Sequence, residues 1–489
     1  MVERLGLVAL VVGAACLTAV TTALAVGEPM IAAGVGLLLV ALYLSRRLDG
    51  FQRILAVATV LLVCASSNMP ALVSLSFYAR YVAVGCLVLW ALAERRRQIR
   101  QPDHPTRLFV GALWAAAGLA TLSSVWSVSP LHTLQQAIAL VLLAALAHVL
   151  LWRRWVDGKA TAADLHVVYV LLSTSLVVSL GYGITGVAAA TSFSDRFQGL
   201  YSNPNMLSII CALTIPLGWA LYRQSHRRVQ LIGIVPAIIL LPMTESRTAL
   251  IAVVVGGLWV LLRHGAGPVA RLLVVTVGAV GLAYLFGMLP SVLGSTWLET
   301  LAARFTDPDN GDLSNGRSQT WQATVELWQS RPALGFGYAS GIHLFEQTRQ
   351  DGFFDVSVNL VHNSYLQWLL ELGVIGLAPI LLLLFVAIRV VLLAPVGALN
   401  SGLLWLIVTG LLIQVTESTM FGMGQPYPYV FWLSVAGALV RARAGRHATG
   451  VPATVFITAR PDGRPHPHSP VGRRQPTGGP GRRERVSVR

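Results

Sequence analysis

HNSYLQWLLELGVIGLAPILLLLFVAI, residues 362–388, carries the strongest structural signal in the chain. Three polar residues lead into an apolar run at 365–388, in which Glu371 is the one charged side chain. A helix needs about 20 apolar residues to cross the hydrocarbon core of a bilayer. The run therefore predicts a membrane-spanning helix that begins directly after His362, Asn363 and Ser364.

The whole chain shares the apolar composition of this stretch. Of its 489 residues, 55% are hydrophobic and 12% are charged, and the mean hydropathy is +0.66. Soluble domains carry about 25% charged residues, so the composition predicts an all-α polytopic membrane protein. The cysteines stand in apolar stretches and form no disulfide or metal-binding pattern. They are Cys16, Cys64, Cys86 and Cys211.

Fourteen apolar runs are candidates for membrane-spanning helices. The runs at 30–45, 229–244 and 427–440 are short, so we expect 12 to 14 spans. The full set is 5–27, 30–45, 54–68, 71–93, 108–125, 133–152, 165–189, 204–222, 229–244, 247–262, 269–289, 365–388, 402–420 and 427–440.

Basic residues concentrate in alternate loops between these runs. Cytoplasmic loops of membrane proteins carry such an excess of arginine and lysine. The pattern predicts a multi-pass protein of the cell membrane with cytoplasmic N- and C-termini and an extracytoplasmic loop at 290–364. The basic residues on the predicted cytoplasmic side are Arg46, Arg47, Arg53, Arg95, Arg96, Arg97, Arg100, Arg107, Arg153, Arg154, Lys159, Arg223, Arg227, Arg228, Arg263, Arg271, Arg389, Arg441, Arg443 and Arg446.

Four segments follow from this topology. Transmembrane helices occupy 1–289, a large extracytoplasmic loop with short helices occupies 290–364, and further transmembrane helices occupy 365–440. Residues 441–489 are rich in Arg, Pro and Gly and predict a disordered basic cytoplasmic tail. The first span ends in Thr-Ala-Leu-Ala (22–25), which leaves open whether it is a retained helix or a cleaved signal sequence.

The net charge of +15 is explained by these cytoplasmic loops and the tail. A basic tail next to a membrane suits the anionic headgroups of the lipid bilayer. Nucleic acid is a poorer partner, because neither a nucleic-acid-binding fold nor basic residues interleaved with aromatic ones accompany the charge. We therefore expect a lipid bilayer and no nucleic acid as the partner of the basic residues.

The large loop contains one clear helical pattern. Trp321, Val325 and Trp328 recur at positions i, i+4 and i+7, which predicts an amphipathic helix over 317–330. Its aromatic face would lie on the membrane surface or pack over the helical bundle.

Neither a metal nor a cofactor is predicted. The acidic run at 307–312 resembles part of a calcium loop, but the twelfth position is Ser318 and not a bidentate glutamate. A lone Gly-x-Gly at Gly335 and Gly337 is more typical of a tight turn than of a phosphate-binding loop.

Three arginines on the predicted outer side are candidate substrate-binding residues. A charge within or beside a span is costly and tends to be paired or functional. The alternative to a substrate-binding role is a structural ion pair, of Arg247 with Glu245 and of Arg196 with Asp195. Arg80 falls inside a predicted span, so either the helix begins near it or its guanidinium points into a polar cavity. Guanidinium groups bind phosphate oxygens bidentately and would stabilise a departing diphosphate without Mg²⁺.

His362 is the candidate catalytic residue. It stands at the outer start of a span beside polar neighbours, and imidazole is suited to general-base chemistry near neutral pH. A surface or helix-capping histidine is the structural alternative. Glu371 lies nine residues further on, about two and a half helical turns into the span. A carboxylate at that depth needs a partner, for which an arginine of the bundle is the expected choice.

Four stretches, in this chain order, resemble the O-antigen ligase and O-antigen polymerase superfamily. They resemble that family's Arg…Gly…Asn-Pro-Asn, Ser-Arg, Gly-Arg…Trp…Pro…Gly-x-Gly and histidine-containing motifs. The stretches are Arg196–Asn205 (RFQGLYSNPN), Glu245–Leu250 (ESRTAL), Gly316–Gly337 (GRSQTWQATVELWQSRPALGFG) and His362–Gly376 (HNSYLQWLLELGVIG).

The resemblance implies a metal-independent, inverting glycosyltransferase with a multi-helix membrane fold of the GT-C type. Such an enzyme moves a glycan from an undecaprenyl-diphosphate carrier to a glycan, lipid or protein acceptor at the outer face of the cytoplasmic membrane. The resemblance implies that His362 is the base and that Arg196 and Arg247 bind the diphosphate. It also implies that Arg317 is a further substrate contact. The family commonly has twelve spans.

Three other interpretations stay open at this point. A ligase transfers a finished glycan and a polymerase joins repeat units, and the motifs do not separate the two. A polytopic transporter of a small solute or of a lipid-linked glycan would have internal repeats and helices broken near the membrane midplane. A membrane scaffold would need neither His362 nor Arg247.

Overall fold

The computed structural model describes residues 48–94, 102–155, 159–185, 191–192, 196–263, 317–350, 361–395, 397–422 and 424–448. Three of the predicted spans lie outside these ranges, namely 5–27, 30–45 and 269–289. The tail at 449–489 and the acidic run at 307–312 lie outside them as well.

The described chain is helical, with two isolated β-bridges and no named strand in these ranges. A 3₁₀ turn at Ser123–Val125 follows α3, and a π-helical turn at Leu150–Arg154 follows α4. The helices are Gly50–Ala65 (α1), Pro70–Ala93 (α2), His104–Leu122 (α3), Pro130–Val149 (α4), Lys159–Thr185 (α5), Pro204–Ser225 (α6), Val229–Ile232 (α7), Val235–Met243 (α8), Arg247–Arg263 (α9), Arg317–Ser330 (α10), Gly341–Gln350 (α11), Ser364–Leu393 (α12), Ala398–Ile413 (α13) and Pro426–Ala448 (α14).

Local sequence explains where the helices begin. Proline occupies one of the first two positions of α2, α3, α4, α6 and α8, where its missing N–H has no helical partner to lose. Asp49, Asp103, Asn203 and Asn363 are N-caps whose side chains accept hydrogen bonds from amides of the first turn. The polar residues between apolar runs thus set the helix boundaries.

Six described helices are long and apolar enough to cross a membrane. Three shorter apolar helical segments, at Gly50–Ala65, Val229–Met243 and Ala398–Ile413, accompany them. The outer face of α2 carries Leu75, Val82 and Leu89, which are between 65% and 73% exposed. Such a row of exposed apolar side chains suits contact with lipid. The prediction of an all-α, multi-pass membrane protein is confirmed.

Eleven of the fourteen predicted spans coincide with described helices, although several ends differ by a few residues and the span at 229–244 is divided between α7 and α8. The predicted span at 402–420 is too long, because α13 ends at Ile413. The polar residues that follow leave the helix and bond to the N-terminus of α12 instead, as described below. The predicted start of the tail at 441 is also wrong for its first residues, because α14 continues through Ala448.

The long helices have two groups of ends, because the Arg154 network joins one end of α2 and α4 and a cavity lies at their other end. At one end the basic residues concentrate, and Arg154 forms a buried network there. Its side chain is 1% exposed and bonds to Asp164 at 2.6 Å, Asp49 at 2.8 Å and Glu94 at 3.5 Å. These contacts join α1, α2 and α5 to the end of α4. The basic residues of this end are Arg53, Arg107, Arg153, Arg154, Arg223, Arg227, Arg228, Arg263, Arg389 and Arg441.

Candidate functional site

A cavity of about 700 Å³ lies at the opposite end, where α2, α4, α6, α12 and α14 begin. Aromatic, polar and charged side chains all line it. The structure thereby brings together Arg80, Arg196, His362 and Glu371, which the sequence predicts as separate site residues. The charged and histidine side chains of the lining are Arg80, His132, Arg196, His362, Glu371 and Glu417.

One wall of the cavity is aromatic. The Tyr338 and Trp368 rings are 5.5 Å apart, and the Trp368 and Phe421 rings are 4.6 Å apart. The Tyr338 hydroxyl donates to the carbonyl of Phe421 at 3.0 Å. Burial raises the pKa of the Tyr338 phenol well above its ordinary value, so it stays a neutral donor. Aromatic walls of this kind suit the apolar faces of sugars or an apolar lipid chain.

The shape of the cavity depends on a break in α12 at Gly373, whose φ is 63°. The segment 332–337 runs along this break, and the Gly337 amide donates to the Glu371 carbonyl at 2.7 Å. A side chain at position 373 would clash with the carbonyl oxygen of Ala333, and the positive φ already favours glycine. The predicted turn at Gly335 and Gly337 therefore serves to dock the large loop against a broken helix.

The N-terminus of α12 holds the loop 414–425 that joins α13 to α14. Asn363 caps α12 by accepting from the amides of its first turn. Ser364 Oγ donates to the carbonyl of Glu417 at 2.8 Å and accepts from the amide of Thr419 at 2.9 Å. These bonds take the place of helical bonds at residues 414–420, which explains why α13 ends early.

His362 lies directly before this cap, with its imidazole at the cavity. Its φ of 50° is a left-handed conformation, which a residue other than glycine adopts when its surroundings hold it there. One restraint is the preceding carbonyl of Val361, which accepts from Trp321 Nε1 of α10 at 3.0 Å. The side chain of His362 is 32% exposed.

The predicted amphipathic helix at 317–330 is confirmed as α10. It packs over the bundle, which is one of the two alternatives for its aromatic face. Trp321, Leu327 and Trp328 contact a small core separate from that of the main bundle. The buried residues of this core are Phe336, Leu344, Phe345, Val361 and Leu370.

Glu417 is the polar centre of the site and is not among the residues that the sequence predicts for it. Its Oε2 lies 3.4 Å from His362 Nδ1, and its Oε1 accepts from Arg317 Nη2 at 2.8 Å and from Asn205 Nδ2 at 2.9 Å. The carboxylate thus joins the loop 414–425 to three elements that are distant in the chain. Its position at the end of an apolar run was the available signal, because a carboxylate there needs partners.

Arg196 lies on the same side of the cavity as Glu417. Its Nη2 donates to Asn205 Oδ1 at 2.9 Å, and Asn205 in turn donates to Glu417. Nε and Nη2 of Arg196 also donate to the carbonyl of Thr244 at 2.9 and 2.7 Å. These partners fix the orientation of the guanidinium.

The two other predicted arginines have different settings. Arg317 begins α10, pairs with Glu417 and also donates to the carbonyl of Thr416. Arg247 begins α9, three residues after Thr244, and is not among the residues that line the cavity. Thr244, three residues before Arg247 in the sequence, bonds to Arg196. The role of Arg247 stays a prediction.

The structure decides between the two alternatives for Arg80, a position at a helix start or a guanidinium in a polar cavity. The helix begins at Pro70, so Arg80 lies within α2, and it is 6% exposed while lining the cavity. Its Nη1 donates to the carbonyl of Gly424 at 3.1 Å, and its Nη2 donates to the hydroxyl of Tyr81 at 3.1 Å. The guanidinium points into a polar cavity.

Glu371 has partners of another kind than expected. Its carboxylate accepts from Gln367 Nε2 at 2.8 Å and from the Ala339 amide at 2.8 Å, and it is 1% exposed. Among the residues that the structure describes, no arginine pairs with Glu371, contrary to the expectation. Glu371 instead fixes the chain that leads into α11, since both of its partners are neutral and local to the large loop and α12.

Histidines also meet at the cavity edge, where the rings of His132 and His343 are 5.0 Å apart. Within the described ranges, no group of three or more His, Cys, Asp or Glu residues is placed to hold a metal ion. The basic side chains that line the cavity are Arg80, His132, Arg196 and His362.

Residues 232–381 match the family model described as "O-Antigen ligase". The match runs from the end of α7 into α12, so it includes Arg247, Arg317, His362 and Glu371, but not Arg80, Arg196 or Glu417. No curated protein gave a significant match to the chain. Over these residues, which are less than half of the chain, the protein is similar to the O-antigen ligase family, and the match supports the O-antigen ligase and polymerase superfamily.

Proposed function

We propose that the protein is a glycosyltransferase that moves a glycan from undecaprenyl diphosphate to an acceptor hydroxyl within this cavity. The observation that carries the proposal is the contact of His362 with Glu417 at a cavity that Arg196 also lines. A base and a fixed cation around one space are what transfer from a diphosphate carrier requires. The GT-C type of architecture is part of this proposal.

The distribution of charge supports an extracytoplasmic cavity. The described basic residues concentrate at the end of the helices remote from it, and cytoplasmic loops carry such an excess. With that end in the cytoplasm, the cavity opens at the outer face, where a lipid-linked glycan is joined to a cell-surface acceptor.

In the proposed mechanism, His362 is the general base. When Nδ1–H donates to Glu417, Nε2 carries a lone pair toward the acceptor hydroxyl. Nε2 takes the hydroxyl proton as the oxygen forms a bond to the anomeric carbon. The bond from that carbon to the diphosphate oxygen breaks, and its electron pair leaves with the diphosphate. Attack opposite the leaving group inverts the configuration.

Arginines stabilise the departing diphosphate in this mechanism. Arg196 is held by the Thr244 carbonyl and Asn205, so its charge is oriented before substrate binds. Arg247 begins the helix that follows Thr244, and Arg317 begins α10 and pairs with Glu417. Bonds from guanidinium to phosphate are charge-assisted and frequently bidentate. These residues supply the positive charge that a metal supplies in other transferases.

The test uses membranes that contain full-length protein and lipid-linked glycan donor. We expect His362→Ala to abolish transfer, because no other imidazole contacts Glu417 in the described residues. His104→Ala is the matched control, since His104 is exposed at the opposite end of the helices. Normal transfer by a normally expressed His362→Ala protein would rule out the base assignment.

A further inference from the structure

Arg80 is a buried cation that the proposed transfer step does not use. It lies in a membrane-spanning helix, and its side chain is more than nine-tenths buried at the cavity. A charged side chain at such depth is costly, and it is paired or functional where it occurs.

The partners of Arg80 leave its charge uncompensated. Both hydrogen-bond acceptors, the Gly424 carbonyl and the Tyr81 hydroxyl, are neutral. The rings of Phe77 and Tyr81 lie 5.2 and 4.8 Å from the guanidinium carbon. Among the residues that the structure describes, no carboxylate pairs with Arg80. Its Nε is buried without a hydrogen-bond partner.

The position of Arg80 separates it from the group around Glu417. Both groups touch the loop 414–425, but at different places, since Glu417 contacts Arg317 and His362 while Gly424 contacts Arg80. Gly424 packs closely against the guanidinium, because an added Cβ would lie 3.2 Å from Arg80 Nη2. The cavity thus has two separate positively charged regions, one at Arg80 and one at the group around Glu417.

We propose that Arg80 is the centre of a second oxyanion-binding subsite in the cavity, which takes a carboxylate or phosphate of the substrate. The rings of Phe77 and Tyr81 pack against the guanidinium, and Nε, which has no hydrogen-bond partner, is available to donate to a ligand. An acidic sugar of the glycan and the diphosphate of the carrier share this chemistry. Only the identity of the oxyanion, as part of the glycan or of its carrier, rests on the proposed function.

The experiment measures binding of two probes to purified full-length protein in nanodiscs by calorimetry at low ionic strength. The probes are inorganic diphosphate and D-glucuronate. We expect Arg80→Met to raise the Kd of at least one probe tenfold or more, with Arg107→Met, an exposed arginine at the other end, as the unchanged control. A loss confined to diphosphate assigns the subsite to the carrier, and a loss confined to glucuronate assigns it to an acidic sugar.

Two results would overturn the proposal. One is a wild-type protein that binds neither probe, and the other is an Arg80→Met protein whose Kd values for both probes match those of the wild type. If Arg80→Met does not fold, Arg80→Lys decides, because an ammonium group cannot form two parallel bonds and should raise the Kd at least threefold. An unchanged Kd would then count against the subsite. Since turnover is not measured, the result is independent of the transfer test on His362.

Discussion

His362 Nδ1 lies 3.4 Å from Glu417 Oε2, although the two residues are 55 positions apart in the chain. The contact forms because Ser364 fixes the loop of Glu417 to the start of α12. A carboxylate at Nδ1 sets the tautomer and the ring orientation of a histidine, and leaves Nε2 for chemistry. Glu417 is therefore a positioning residue in the proposed mechanism.

Glu417→Gln should lower kcat about 100-fold while changing the KM for the lipid-linked donor far less. An amide keeps the size of the side chain but loses the charge that stabilises the imidazolium formed during transfer. Glu417→Asp should recover part of the loss. Steady-state kinetics of the reconstituted protein gives both constants.

Glu326→Gln is the control for this change, because Glu326 is exposed on α10 and bonds to Gln322. We expect its kcat to equal that of the wild type. A Glu417→Gln protein that changes KM alone would mean that the carboxylate serves binding and does not position the base.

Arg247→Met should raise the KM for the lipid-linked donor about tenfold or more. A charge-assisted hydrogen bond is worth about 1.5–3 kcal/mol, and its loss weakens binding by that order. Arg263→Met, at the other end of α9, is the matched control. Equal KM values for the two variants would remove Arg247 from the site and leave the diphosphate to Arg196 and Arg317.

The position of His362 before a membrane-spanning helix and the presence of the helix at 317–330 could be predicted from the sequence. His362 and the helix at 317–330 follow from the length of the apolar run and from aromatic periodicity, both of which are local properties. Glu417 was hidden inside a run judged apolar at 402–420. Its loop is folded by bonds to Ser364, and a contact between distant parts of the chain leaves no periodic pattern.

Gly373→Ala should destabilise the protein by about 1–3 kcal/mol. The substitution forces a left-handed conformation on alanine and brings its Cβ against the Ala333 carbonyl. Thermal unfolding in detergent should show a lower Tm and a loss of transfer. Gly118→Ala in α3 is the control, since nothing lies within 4 Å of an added Cβ there, and alanine favours a helix. Equal Tm values for both variants would contradict the role of the break.

Arg154→Met should destabilise the protein by about 3–5 kcal/mol, because the substitution leaves Asp164 buried without a counter-charge. Adding Asp164→Asn should restore part of the stability, since the uncompensated carboxylate is then removed. Arg153→Met is the control. Unfolding in mixed micelles measures the difference, and a double variant no more stable than Arg154→Met would argue against this explanation.

The partners of buried charges were the least predictable feature. For Glu371 the sequence indicated only that a partner was needed, and an arginine was expected. The amide of Ala339 takes that place because the large loop docks at the break in α12. For Arg80 the sequence allows two alternatives, a helix that begins near it or a guanidinium in a polar cavity. Only the packing of α2 against the loop 414–425 decides between them.

The measurement that separates a transferase from a transporter is the release of undecaprenyl diphosphate by purified protein in vesicles loaded with lipid-linked glycan and acceptor. We predict one undecaprenyl diphosphate released for each new glycosidic bond by the wild type, and no release by His362→Ala. Movement of glycan across the vesicle membrane without release of the carrier, or equal release by both proteins, would contradict the proposed transfer.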